Sequence, residues 1–197
     1  MKSGCAAVML ALEKFAGRHL QDGSFCGKLI YHLVSDEEGP YGLGTVFIIN
    51  DKIHNVAEEA DFAIIAEPSA GFARVPHPCV CLGARGGYNY TIKVYGKSAH
   101  AATPELGINA MVDASLIVAE LEKIPPVTDE KLGSSSPCVI SMNGGGAACS
   151  VPDYAEVEIF HHTVRGETQQ TIRERVDKAI RAANVRSKIE VVFRQSP

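Results

Sequence analysis

Two acidic segments carry the residue types that metal-assisted or acid–base chemistry needs. Asp36-Glu37-Glu38-Gly39 follows the apolar run GKLIYHLV (27–34), and Glu67 follows a second apolar run, DFAIIA (61–66). Neighbouring carboxylates repel, and burying them without a cation is costly. In a solvated turn such a run needs no special account. At the end of a buried strand it points into a crevice, and the residues can divide the labour of hydrolysis. One carboxylate then holds a divalent cation while its neighbour takes a proton from the bound water. Glu67 is followed at once by Pro68, which stops a strand. Alone it also fits a cap or turn, but two acidic strand ends of one parallel sheet can converge on one site.

The third candidate is His100, in GKSAHAATPELGINA between a predicted strand and a predicted helix. A lone loop histidine is as compatible with a structural or exposed role as with catalysis. His161-His162 read as exposed residues at a strand end. No HxH or HxxxH spacing occurs, so the chain offers no histidine pair of its own for zinc. Gly144-Gly145-Gly146 is followed by neither GKS nor GKT and is not a phosphate loop. The cysteines at 5, 26, 79, 81, 138 and 149 form no CxxC pair, which reads as reduced thiols in a reducing cytoplasm. A formal charge of −4 with interspersed signs argues against nucleic acid or an anionic membrane as a partner. No apolar stretch is long enough to span a bilayer, and Glu13 and Lys14 make the N-terminal run an amphipathic helix rather than a leader.

The elements that must position these groups fall into two regions of the 197 residues. Residues 1–84 read as helix, strand (27–34), helix (about 42–50) and strand (61–66), the rhythm of a mainly parallel α/β sheet with helices. Residues 85–197 differ in character. Tyr88, Tyr90, Ile92 and Val94 alternate with Asn89, Thr91 and Lys93, as in a sheet with one wet face. Ala110, Ala114, Ile117, Val118 and Leu121 then have helical spacing, which ends before Pro125-Pro126. Strands over Pro137–Met142 and Tyr154–Phe160, a helix carrying Ile172, Val176, Ala179, Ile180 and Ala183, and a strand with Ile189, Val191 and Phe193 follow. The order βαββαβ predicts an α+β, ferredoxin-like domain. Ser134–Ser136 reads as a short loop.

Five segments in order, MKSGCAAVMLAL, SDEEGPYGLGT, IIAEPS, RGGYNYTIKVYGKSAHAATPELGINA and VPDYAEVEI, resemble the zinc metallopeptidase and amidohydrolase family of aminoacylase, acetylornithine deacetylase, succinyl-diaminopimelate desuccinylase and glutamate carboxypeptidase. The resemblance implies hydrolysis of the amide bond of an N-acyl amino acid or small peptide. It maps the general base onto Glu37 and metal ligands onto Glu38 and Glu67. The cofactor would be two zinc ions per subunit, with cobalt or manganese as substitutes. It also makes residues 1–84 part of a catalytic domain and 85–197 a lid that forms a homodimer. His100 would reach into the partner's active site to stabilise the oxyanion, a role suited to a hydrogen-bond donor.

The departures from the family pattern set a limit. The first metal histidine on an HxD strand has no counterpart, the bridging aspartate would precede Met1, and the last metal histidine would follow Pro197. Only Glu38 and Glu67 of five expected ligands are present, and two carboxylates alone hold zinc weakly. Cys149 stands where an asparagine often precedes VPD, and Arg165 has no clear claim on the substrate carboxylate. The expectation is a chain truncated at both ends and inactive alone. A non-catalytic dimerisation or binding module, or a truncated pseudoenzyme, is the alternative.

Overall fold

The Ala-, Leu- and Met-rich N-terminal run has the composition of a helix and forms one, α1 (Lys2–Phe15), continued by a π-helical turn over Ala16–Leu20. The Phe15 ring packs on His19 and edge-on to Phe25, which closes that turn. A second helix, α2, spans Leu43–Asn50. The structure is a computed structural model that describes residues 2–35, 37, 42–50, 60–67, 80 and 83–194. The chain divides into two compact units, 1–82 with 196–197, and 83–195.

In the first unit the strands expected over 27–34 and 61–66 do not form; both segments lack regular secondary structure. The physical reason lies in what an apolar strand requires. Such a run is stable only with hydrogen-bonded neighbours and with layers covering both faces, and the described residues of this unit supply no ladder. Leu33 is 64% exposed, and Phe62, Ile64 and Ile65 are each more than 80% exposed. Both runs nevertheless lie against α1. The Tyr31 hydroxyl donates to the Cys5 carbonyl at 3.3 Å, and Gly4 meets the Ala66 carbonyl so closely that a Cβ would collide with it. No described residue of this unit is buried.

The second unit is built around alternation. Strand β1 (Gly86–Tyr95) is followed by a 3-10 turn at Pro104–Leu106, then α3 (Ala110–Glu122). A two-rung hairpin, β2 (Thr128–Asp129) and β3 (Gly133–Ser134), leads to β4 (Ser136–Gly144). Strand β5 (Tyr154–Thr163), α4 (Gln169–Ala183) and β6 (Lys188–Phe193) complete it. The sheet order is β4-β5-β1-β6, antiparallel throughout, with a register shift in β4 between Val139 and Ser141. Tyr90, Ile92 and Val94 of β1 and Ala155, Val157 and Ile159 of β5 face inward, against Ala114, Ile117 and Leu121 of α3 and Ile172 and Val176 of α4.

The helix ends are set by capping. Asn109 accepts from the Met111 and Val112 amides at the start of α3, and Thr168 and Thr171 form a reciprocal box at the start of α4. Asn184 ends α4 in the left-handed conformation. Buried Asp113, on α3, accepts from the Arg186 and Ser187 amides at 3.2 and 2.9 Å and so fixes the turn that leads into β6. Ser134 and Ser135, expected in a plain loop, instead end a hairpin. The Ser135 amide donates to the Val127 carbonyl while its hydroxyl accepts from the Val127 amide.

His161 requires a correction. It is fully buried rather than exposed at a strand end, because β5 runs three residues beyond Phe160 and keeps its alternation.

This uneven burial has a measurable consequence. Ile117→Ala should destabilise the second unit by about 3 kcal/mol in urea titrations, within the usual range for a buried Ile truncated to Ala. Phe62→Ala should change that transition by less than about 0.5 kcal/mol.

Candidate functional site

His100 owes its place to the backbone that continues β1. After Tyr95 the chain makes single bridges at Lys97–Ile108 and His100–Ser150, so residues 99–101 run antiparallel to 149–151. The Val151 amide donates to the Ala99 carbonyl and the Ala101 amide to the Cys149 carbonyl, both at 2.8 Å. Gly96 is needed at the exit from β1, since a Cβ there would run into the Ile108 carbonyl. The His100 carbonyl accepts from the Thr103 amide at 2.9 Å and closes a turn ahead of Pro104.

The ring itself is oriented. The Ala102 amide donates to His100 Nδ1 at 3.1 Å. A nitrogen that accepts cannot carry the proton, so the neutral ring is protonated on Nε2. Nε2 has no partner among the described residues, and the side chain is exposed. The arrangement therefore presents one N–H donor whose tautomer the main chain sets.

The acidic candidates are less assembled. Glu37 and Glu67 are exposed, and Glu38 lies outside the described residues, as do Asp36 and Pro68. Glu67 directly follows Ala66, whose carbonyl abuts Gly4 in the first turn of α1. Among the described residues no three His, Cys, Asp or Glu side chains gather to hold a metal ion. The described donor set thus does not fit a zinc pair.

Cys149 beside His100 is exposed and has a φ of 61°, a left-handed conformation unusual for a residue with a side chain. Arg165 is held locally. Its Nε and one terminal nitrogen donate to Asp129 at 2.6 and 3.3 Å, a bidentate pair. That guanidinium, helped by the Leu132 and Lys131 amides, keeps the Asp129 carboxyl well below the usual carboxylate range. Two side chains missed in the sequence are Glu167 and Arg175, which meet His161 inside the second unit. Only the parity of β5 signalled this: residues 155, 157 and 159 are buried, and 161 is next in the series.

Residues 82–188 match the family model described as the peptidase dimerisation domain. Succinyl-diaminopimelate desuccinylase from Acinetobacter baumannii is 29% identical over 182 residues, covering 91% of this chain and 47% of the relative. The enzyme of that name from Bordetella avium is 32% identical over 191 residues with the same coverage. The chain thus spans about half the length of the curated relatives it matches. Among solved structures, an aminobenzoyl-glutamate utilization protein from Klebsiella pneumoniae has 24% identity and a TM-score of 0.49, covering 56% of this chain and 28% of its own. No helix among the described residues is long and apolar enough to cross a membrane.

The ring geometry makes a direct prediction. Nitrogen NMR of the neutral His100 ring should show a protonated Nε2 and a bare Nδ1. Ala102→Pro, which removes the amide donor, should give a mixture of tautomers.

Proposed function

The chain belongs to the peptidase dimerisation-domain family, and on that premise we propose that it is the lid and part of the catalytic domain of a zinc-dependent amidohydrolase acting on N-acyl amino acids or small peptides. The single observation that carries this reading is the fixed Nε2–H of His100. A donor held in one tautomer by the main chain can meet an amide oxygen as negative charge develops on it, without reorganising first. Glu37 is the proposed general base. Its carboxylate would take a proton from the attacking water and pass it to the leaving amine. Glu38 and Glu67 are the carboxylates proposed for zinc, and the other ligands would have to come from outside this sequence. Residues 1–84 are then the catalytic part and 85–197 a ferredoxin-like lid, in a protein of the cytoplasm.

Self-association through the lid is the matching partner proposal, with His100 serving the active site of the second copy. Exposed apolar side chains in this unit support it. Ile140 on the edge strand β4 is 53% exposed, and Val112 on α3 is 51% exposed. An edge strand with unpaired backbone groups is a template for another strand. Ile140→Lys should therefore shift a dimer to monomer in sedimentation analysis while leaving the helical circular dichroism unchanged.

A second reading, a non-catalytic dimerisation module, is favoured by one observation: every buried residue described lies in the second unit. Activity separates the two. This chain alone should show no appreciable hydrolysis of N-succinyl amino acids, and chelator-sensitive turnover by it would overturn that expectation. In a longer protein carrying these residues, Glu37→Gln should lower turnover by at least about a hundredfold while metal content stays near wild type. Unchanged turnover would sink the assignment of the base.

A further inference from the structure

His100 lies in a loop that is closed at its base. Residues 97–108 lead from β1 to α3, and the backbones of Lys97 and Ile108 bond each other in both directions at 2.9 Å. Inside the loop a series of bonds runs from His100 to Gly107. The Thr103 amide donates to the His100 carbonyl at 2.9 Å, the Leu106 amide to the Thr103 carbonyl at 3.2 Å, and the Gly107 amide to the Pro104 carbonyl at 3.0 Å. Gly107 is buried, so its own carbonyl needs a donor. Arg186, 79 residues further along the chain, supplies one from a terminal nitrogen at 3.2 Å.

That bond falls on the peptide unit that closes the loop. The plane joining Gly107 to Ile108 accepts from the guanidinium at its oxygen and donates to the Lys97 carbonyl at its nitrogen. A cation at the oxygen makes the N–H a better donor, so the two bonds strengthen one another. The unit has little room to shift. A Cβ on Gly107 would come within 2.8 Å of the Lys97 carbonyl oxygen, 3.0 Å of the Ala99 side chain and 3.1 Å of Val151. Ala99 and Val151 are themselves joined by the backbone bond beside the His100 bridge.

Arg186 is placed by the helix that the loop leads into. Its amide and that of Ser187 donate to the buried carboxylate of Asp113, in the first turn of α3, at 3.2 and 2.9 Å. The cap of α3, Asn109, directly follows Ile108. One end of the loop thus fixes the backbone of the residue whose side chain reaches back to it. The same contacts would serve a plain staple between the turn before β6 and the loop. A role in the site must therefore be read at the imidazole.

We propose that Arg186 is a positioning residue for His100: by holding the Gly107–Ile108 peptide it keeps the Ala102 amide on Nδ1. The proposal rests on the donor role given to His100 above and names the side chain that maintains it. Without the guanidinium the buried Gly107 carbonyl must turn to reach water. That movement pulls the Ile108 amide from Lys97, loosens the bonded series back to Thr103, and frees the imidazole from Ala102.

Nitrogen NMR and amide exchange on the full chain, compared with Arg186→Met, test this. In the variant the Ala102 and Thr103 amides should exchange about fivefold faster, the factor expected for one lost hydrogen bond. The neutral His100 ring should pass from Nε2–H to a mixture of tautomers, while the β1–β5 ladder exchanges as in the wild type. Gly107→Ala, which displaces the same peptide with Arg186 intact, should produce the same two changes. An unchanged ring in either variant, or faster exchange spread evenly over the ladder, would overturn the proposal. Neither readout involves substrate or metal. The donor assignment fails separately, if His100→Ala leaves turnover unchanged in the longer protein.

Discussion

The β1–β5 ladder is the constraint on which the rest of the second unit depends. Ten residue pairs run without interruption from Gly86–Thr163 to Tyr95–Tyr154. Because side chains alternate, one register decides which five residues of each strand face the helices. Tyr90, Ile92 and Val94 meet Ile159, Val157 and Ala155 on that inner face. Thr91 and Lys93 meet Glu158 and Glu156 on the outer one. A slip of β5 by one residue would place Glu156 and Glu158 against α3 and α4 and expose Val157 and Ile159. The same register carries His161 inward, and it sets the direction in which β1 leaves the sheet toward His100.

The two ends of this ladder do different things. Beyond Tyr95 the strands separate and the pairing reduces to isolated bridges, which leaves amides free to bond side chains. That is where the Ala102 amide finds His100 Nδ1. At the opposite end the ladder runs to its last pair, and a buried carboxylate replaces the lost backbone partner of Val164. A polar side chain has thus been recruited at each end to satisfy backbone that the sheet no longer pairs.

Much of the second unit was legible because its elements carry strong periodicity. Helical spacing from Ala110 to Leu121, with a stop at Pro125-Pro126, and from Ile172 to Ala183 corresponds to α3 and α4. What stayed hidden depends on contacts made far along the chain. The β2–β3 hairpin is held by Arg165 reaching Asp129 across 36 residues, and no local pattern encodes that. The tautomer of His100 depends on a backbone amide two residues on, which sequence does not orient. In the first unit the apolar runs were legible as runs, but their state was not. GKLIYHLV and DFAIIA specify what they need to bury, and whether they pair rests on neighbours.

That asymmetry bears on how the chemistry is divided. A hydrogen-bond donor such as His100 can be completed by a single turn, because one amide fixes its tautomer and the rest of the sheet fixes its position. A carboxylate pair is different in kind. Glu37 and Glu67 can hold a cation firmly only when other groups enclose them, since exposed carboxylates keep their water. The donor half of the proposed reaction can therefore reside in a small self-sufficient unit. The acid–base and metal half needs a larger enclosure, and it is the part of the described chain that has none. A unit with its own core that presents one prepared N–H would thus be separable in physical terms from the centre it is proposed to serve.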